Sequence, residues 1–429
     1  MNACKITGFF VAAKAVQYLI VFCTPVDQFD TSTKLFLAQY VAEKEIETWI
    51  NVRFWNKLLA WDAVFFLKTA MTNARPEFEH ENAFSSLWSL ILRSASRDST
   101  NIYTILKTGV IIENLLHYGA AALLYQLTLK TFESNVLKSH HIHNLAKLST
   151  ILFIASSAAG FCLGVYSEPL STFFTLLGMI CRERTIHFDV YGNLRICWLK
   201  WPLYAIFSTA CFTVAFINRP ICIILGSYYL FDLFYLIKAR QYKQAMFMPC
   251  VSGCCMFVIF LYHQYYLPFQ VYCPERGEWC LNTIFDLPVS YRSLYSYIQD
   301  YYWNNGILRY WTLNNIPNFL FALPNVVVMW YATVYFSHQY PCFNLKSLVF
   351  MSRVFLIIMA FFAHTQVINR VSTFIPLHLW YVADRINKLY QGKDTPMKGD
   401  DKLIRYYVGW LLFWIPLQTA LYASFLPPA

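Results

Sequence analysis

Charge is scarce in this chain: Asp, Glu, Lys and Arg make up 14% of its 429 residues, against about 25% in a soluble domain. A soluble surface cannot be built from that inventory. Also missing are a glycine-rich phosphate loop after a strand, a nucleophile elbow and paired zinc half-sites. Their absence excludes soluble nucleotide-binding machinery and disfavours a nucleotide-sugar enzyme built on a Rossmann domain. No Asn-x-Ser/Thr sequon occurs, so glycosylation gives no marker of sidedness. No fixed-period repeat, low-complexity linker or soluble appendage is visible, and residues 1–429 read as one transmembrane domain.

What the chain has in abundance is apolar sequence, with 57% hydrophobic and 19% aromatic residues. A helix needs roughly 20 mostly apolar residues to cross ~30 Å of hydrocarbon. Segments 6–26, 104–129, 147–166, 221–237, 246–266, 316–337, 347–363 and 406–426 meet that test, and 169–181, 202–217 and 374–384 approach it. The expectation is an all-α polytopic membrane protein of about eleven spans. The first segment, with Lys14 and no cleavage site, reads as a retained signal anchor.

The net charge of +10 does not indicate a nucleic-acid partner, because the basic residues fall in short inter-span loops, as the positive-inside rule requires. Arg182, Arg184, Arg195 and Lys200 share one loop; Lys238, Arg240 and Lys243 share another. Arg385, Lys388, Lys393, Lys398, Lys402 and Arg405 fill a third, and Lys130, Lys138 and Lys147 flank a fourth. Counting spans puts all four on one side, taken as cytosolic, and the long loops 27–103 and 267–315 on the other. Thirteen cysteines show no metal-type pairing; Cys273 and Cys280 share the second long loop, as a disulfide or as two thiols.

In the first long loop, Phe54, Trp55, Leu58, Leu59, Phe65, Phe66 and Ala70 recur at helical spacing. They predict one amphipathic helix lying in the membrane interface with its apolar face in the acyl chains, and residues 84–92 predict another. The second long loop is rich in Tyr and Trp, including Tyr295, Tyr297, Tyr301, Tyr302, Trp303, Tyr310 and Trp311. Such rings form either an interfacial belt or a platform for sugars or an isoprenoid chain.

Asp62 follows Trp61 in the middle of the predicted interfacial helix. Against the apolar stripe of Leu58 and Phe65 it would be a partly desolvated proton acceptor; turned outward it would be an ordinary solvated carboxylate. Glu79, His80 and Glu81 form either a solvated turn or a hydrogen-bonding set for a polyhydroxylated acceptor, with metal binding the weaker reading. Glu168, in Tyr166-Ser167-Glu168-Pro169, sits at a span end, where an ionisable group faces protein or a water-filled cavity. Arg370, near His364 and Gln366, breaks the positive-inside pattern, which suits either a phosphate-binding guanidinium or a snorkelling anchor. Glu113, Asn114 and His117 share a helix face inside one span, for inter-helix hydrogen bonds or, less readily, a proton relay.

Taken in order, these motifs resemble the PIG-V family of GPI mannosyltransferases, in the GT-C class of polyprenyl-phosphate-sugar glycosyltransferases. The resemblance runs through Trp61-Asp62, Phe66-Leu67, Glu79-His80-Glu81, Ala83-Phe84, Tyr166-Ser167-Glu168 and Trp279-Cys280. It continues through residues 295–299, Tyr302-Trp303-Asn304, Gly306, residues 308–311, residues 316–320, Pro324 and residues 364–370, and so covers nearly the whole chain. Asn305 departs from it, standing where the family usually has an apolar residue. The aromatic-rich short loops look like those of a fungal member.

The resemblance implies a multi-pass endoplasmic reticulum protein with a lumenal site, adding the second mannose of the glycosylphosphatidylinositol core in an α1,6 linkage. It implies dolichol-phosphate-mannose as donor, a monomannosylated GPI precursor as acceptor and a small membrane-bound partner protein; no cofactor and no metal-ligating residue is expected, and the sequence leaves a metal requirement open. A β-linked donor and an α-linked product require inversion. On that reading Asp62 is the base for the acceptor 6-hydroxyl, and Trp61 walls the site. Arg370 with His364 neutralises the leaving phosphate. Glu79, His80, Glu81, Tyr166 and Glu168 orient the acceptor, and Gln299, Trp303 and Asn318 contribute from the second long loop. Two rivals are a lipid or sugar flippase, which would tend to show inverted repeats and broken mid-membrane helices, and a non-catalytic scaffold, which would tolerate loss of Asp62.

Overall fold

The computed structural model describes residues 3–72, 76–133, 139–188, 194–197, 199–239, 246–273, 278–281, 283, 290–338, 343–390 and 400–426. Lys138, Arg240, Lys243, Lys393 and Lys398, counted above as loop cations, lie outside them.

The apolar segments become helices. In chain order these are α1 (Ala3–Cys23), α2 (Asp62–Met71), α3 (Ser86–Ala95), α4 (Ile102–Phe132), α5 (Ser139–Ile154), α6 (Glu168–Glu183) and α7 (Trp201–Asn218). After them come α8 (Ser227–Lys238), α9 (Phe247–Leu261), α10 (Leu294–Tyr301), α11 (Ile316–His338), α12 (Lys346–Phe361), α13 (Leu377–Tyr390) and α14 (Asp400–Ala423). Among the described residues the only departure from helix and turn is a short antiparallel pair, β1 (Ile186–Phe188) with β2 (Leu194–Ile196), and an isolated bridge between Thr283 and Ser290. This is a polytopic all-α membrane protein. Among the described residues, five stretches are both long and apolar enough to cross a bilayer: Cys4–Cys23, Trp201–Asn218, Pro220–Lys238, Phe247–Tyr272 and Leu313–His338. The other predicted spans coincide with helices that are shorter or carry more polar side chains.

Helices facing lipid turn large apolar side chains outward, since hydrocarbon solvates them as well as a core does. Leu203, Ile206 and Phe207 on α7 and Leu412 and Phe413 on α14 are accordingly exposed. Polar side chains turn inward and bond between helices. Asn325 of α11 donates to Ser157 Oγ at 2.7 Å and to Asn369 Oδ1 at 2.8 Å, and accepts from the Tyr407 hydroxyl of α14 at 2.8 Å. Asn369 in turn donates to the Phe321 carbonyl at 3.0 Å. In hydrocarbon each unmade bond would cost more than in water, so this network fixes the turn that carries Arg370.

Three expectations need correction. Segment 147–166 is not one helix: α5 ends at Ile154, and residues 155–167 run as buried turns and a short 3-10 segment, Ala159–Cys162. Arg182 and Arg385 are not loop cations. Arg182 is buried and paired with Asp232 and Glu183, and Arg385 is fully buried, with Asp401 at 3.4 Å. Their helices extend past the apolar run, and acidic partners on neighbouring helices make the deeper position tolerable.

The third correction concerns the first long loop, which holds no single interfacial helix. A π-turn, Asn51–Trp55, and one α-turn, Asn56–Leu58, are followed by a break, and α2 begins at Asp62. Tertiary hydrogen bonds replace helical ones at the break. The Leu58, Leu59 and Ala60 carbonyls accept from Tyr422, Thr33 and Tyr166 respectively, and the Asp62 amide donates to the Tyr166 hydroxyl at 3.0 Å. Gly164 lets this segment approach, since a Cβ there would lie 2.9 Å from the Leu58 carbonyl oxygen. The apolar faces of α2 (Ala63, Phe66, Leu67, Ala70) and α3 (Trp88, Leu92) are buried in protein, not turned toward acyl chains.

Candidate functional site

Asp62 is therefore the first residue of a helix rather than the middle of one. The residue before it, Trp61, has φ 58°, a backbone conformation that costs a bulky residue about 1–3 kcal/mol and persists only where its surroundings enforce it. The bonds to Tyr166 and Tyr422 supply that enforcement. The resulting kink turns Trp61 and Asp62 side by side into a cavity of about 410 Å³.

Both long loops and three inter-helix turns wall this cavity. Trp61, Asp62 and Phe84 come from the first long loop, Tyr295, Gln299, Trp303 and Asn305 from the second. Asn318 lies at the start of α11, Arg219 follows α7, and His364, Gln366 and Arg370 lie between α12 and α13. Ile221, Met359, Val367 and Val371 give the lining an apolar part.

Two carboxylates and two guanidiniums meet here. Arg370 Nη1 donates to Asp62 Oδ2 at 2.9 Å, and Arg370 Nε lies 3.1 Å from Glu168 Oε1. Arg219 Nη2 donates to the same Glu168 oxygen at 2.6 Å. Burial works against the charged guanidinium of Arg370, but Asp62 and Glu168 outweigh it and hold its pKa above the ordinary value. The Arg370 guanidinium also rests on the Phe161 ring, 4.9 Å from its centroid. Formal charge in the cluster balances, so an arriving anion must replace a carboxylate as the partner of a guanidinium. Within the described residues, Arg219 Nε makes no hydrogen bond, and one oxygen of Glu168 makes none.

Of the residues singled out from sequence, Trp61, Asp62, Gln299, Trp303, Asn318, His364 and Arg370 line the cavity together. Glu168 and Tyr166 stand behind it, the first holding both arginines, the second holding the Asp62 amide. The Glu79–His80–Glu81 run is not in the lining. Glu81 is buried, bonded to Lys68 at 2.6 Å and to the Glu77 and Phe78 amides. Burial raises its carboxyl pKa, but Lys68 and those amides outweigh burial and hold it below the usual range. Glu79 accepts from the Tyr302 hydroxyl at 2.8 Å, and His80 packs between Phe78 and Tyr302. The run joins the two long loops to each other.

His364 also differs from expectation. Burial lowers its pKa, with the Trp303 carbonyl 2.8 Å from its Nε2 working the other way. It is neutral at pH 7, stacks on Tyr310 at 4.3 Å, and anchors the second loop instead of adding positive charge. In that loop Asn305 bonds to Gln299 through both backbone and side chain, and Asn318 donates to the Tyr310 hydroxyl at 2.6 Å. Cys273 and Cys280 form a disulfide. Asn114 makes the expected inter-helix bond, to Tyr18 at 2.6 Å, whereas Glu113 has Lys14 at 4.0 Å and His117 the Phe153 backbone as partner.

Arg219 went unassigned on sequence, and Tyr295 was named there without a site role of its own. The signal for Arg219 was available: like Arg370, it sits between two predicted spans on the side opposite the basic loops. Tyr295 was visible in the aromatic-rich loop and at the head of the 295–299 motif, but nothing local placed it in the cavity.

Residues 3–429 match the family model described as Mannosyltransferase (PIG-V). The chain is 49% identical over 430 aligned positions to GPI mannosyltransferase 2 of Saccharomyces cerevisiae, covering 99% of both chains. It is 30% identical to the protein of that name from Schizosaccharomyces pombe, covering 94% of this chain and 79% of the relative. Among solved structures, an oligosaccharyltransferase of Archaeoglobus fulgidus superposes with a TM-score of 0.52 at 10% identity. That match covers 99% of this chain and 56% of the archaeal one, and it speaks to the fold alone.

Proposed function

Because the chain belongs to the PIG-V mannosyltransferase family, we propose that it transfers the second mannose of the GPI core, in α1,6 linkage, from dolichol-phosphate-mannose to the monomannosylated precursor. The site would face the endoplasmic reticulum lumen, the side to which span counting assigns both long loops. A small membrane-bound protein is the expected partner.

The Asp62–Arg370 ion pair inside a cavity whose lining is partly apolar carries this reading. In our mechanism the phosphodiester of the donor takes Asp62's place at Arg370, with Arg219 on its other side, while the isoprenoid lies along Ile221, Met359 and Val367. Freed from its partner, the Asp62 carboxylate accepts the proton of the acceptor hydroxyl as that oxygen attacks the mannose C1. The C1–O bond to phosphate breaks on the opposite face, inverting the anomeric centre, and its electron pair leaves with dolichyl phosphate. A base of this kind is worth about 10² to 10⁴ in rate. Guanidinium stabilisation of the charge on the leaving phosphate adds to it. Trp61 and Trp303 wall the sugars, and Gln299 and Asn318 offer them hydrogen bonds.

The test is to incubate the purified protein with labelled dolichol-phosphate-mannose and a monomannosylated GPI acceptor, then determine the linkage of the product. An α1,6-dimannosylated lipid is expected. Failure to transfer, or a different linkage, would overturn the assignment; lipid movement between leaflets without bond formation would favour the flippase.

A further inference from the structure

Behind the catalytic cavity, within the helix bundle, Glu113 and His117 stand one turn apart on α4 and face Cys162 at the end of the 3-10 segment Ala159–Cys162. One ligand-type atom from each, a carboxylate oxygen, an imidazole nitrogen and the sulfur, all lie within 4.8 Å of one another. All three residues are buried; among the described residues neither oxygen of Glu113 makes a hydrogen bond, and the Phe153 backbone is a polar partner for one ring nitrogen of His117, which leaves the other for a ligand. The Glu113 oxygens, with Lys14 no closer than 4.0 Å, and the remaining ring nitrogen of His117 meet at one buried point; unmade bonds there are costly in hydrocarbon and call for an ion or water as partner.

We propose that Glu113, His117 and Cys162 bind one divalent transition-metal ion, zinc by the chemistry of the set. Oxygen, nitrogen and thiolate sulfur are the donors zinc takes, and tetrahedral donors at its bond lengths lie roughly 3.3–3.8 Å apart. Binding therefore requires the donors to close from within 4.8 Å to that spacing. As the Sγ–zinc bond forms, the Cys162 thiol releases its proton to bulk water. The thiolate and carboxylate then neutralise the dication. Lys14 of α1 lies 4.0 Å from Glu113 Oε2 and donates to the Cys162 carbonyl, so the second carboxylate oxygen keeps an outer partner. The opposing arrangement is a Lys14–Glu113 ion pair with no metal.

Three protein donors leave the fourth tetrahedral position to a water; because none of the three residues lines the cavity, the proposed role is to brace the bundle. Its consequence for the enzyme runs through Phe161, adjacent to Cys162, whose ring underlies the Arg370 guanidinium. Tying Cys162 to α4 fixes that ring.

The experiment uses the full-length, tag-free protein purified in detergent without chelator, with metal measured by mass spectrometry. Wild type should carry about one zinc per chain. His117→Ala and Cys162→Ser should hold less than about a tenth of that, while Cys211→Ser, at a buried cysteine elsewhere, keeps it. Cobalt-exchanged wild type should show a near-ultraviolet thiolate-to-cobalt charge-transfer band that Cys162→Ser lacks. Wild-type protein that holds no stoichiometric metal and takes up none from added zinc or cobalt would overturn the proposal and leave the ion pair. Unchanged metal in both ligand variants would overturn it equally.

Discussion

The Arg370 guanidinium holds the Asp62 carboxylate at 2.9 Å while it also touches Glu168, so the proposed base and the proposed phosphate ligand are bound to each other. Such pairing links the two halves of the reaction. Without donor, Asp62 is occupied; once a phosphate competes for Arg370, the carboxylate becomes available. The enzyme would thereby avoid presenting an active base to water alone.

Arginine forks and lysine point charges differ in this setting. Arg370→Lys and Arg219→Lys should each retain membrane insertion but lose paired hydrogen bonds. We expect kcat to fall by about 10²-fold for Arg370→Lys, and the donor KM to rise for Arg219→Lys. Steady-state kinetics at varied donor concentration checks both. An unchanged rate for Arg370→Lys would favour the snorkelling anchor.

Neutral His364 ties the second loop to the turn carrying Arg370. With its folded pKa below the ordinary value of 6.5, the unfolded state binds more protons in the window below 6.5. Stability from this contact is present above that pH and is lost as pH falls through the folded value. His364→Ala should therefore weaken the acid sensitivity of the loop below pH 6.5, read by proteolysis within residues 290–312. A larger acid sensitivity in the variant would contradict the assignment.

Lys68 and Glu81 form a largely buried pair that supports α2. Glu81's pKa lies below its ordinary 4.5, so its contribution holds above that value and fades as pH drops through the folded pKa. Lys68's own pKa is raised: burial opposes this, and its bonds to Glu81 and Glu77 prevail, so its contribution holds below 10.5 and fades as pH rises through the folded value. Lys68→Met leaves Glu81 without its cation and should cost about 3–5 kcal/mol. Thermal unfolding of the purified protein measures the loss, and Lys68→Met combined with Glu81→Gln should recover part of it.

Hydropathy located the helices because length and apolarity are local properties, readable segment by segment. Asp62, Arg370 and the second-loop residues were legible as motifs, since an ionisable group in an apolar context is conspicuous. The break at Leu59–Trp61 was not, because its cause lies in Tyr166 and Tyr422, more than a hundred residues away. The burial of Arg182 was hidden for the same reason: Asp232, on another helix, determines it. Arg219 stood in plain view and needed only the topological argument already made for Arg370. The linking role of Glu79 and Glu81 depended on Tyr302 and Lys68, partners that no spacing rule connects.

The measurement closest to the heart of this account is the initial rate of mannose transfer by Asp62→Asn against wild type, with both proteins matched for expression and for melting temperature. The asparagine keeps the shape of the side chain and removes its capacity to accept a proton. We predict a rate lower by at least about 10²-fold with donor binding retained; transfer at near-wild-type speed would contradict the assignment of Asp62 as the base.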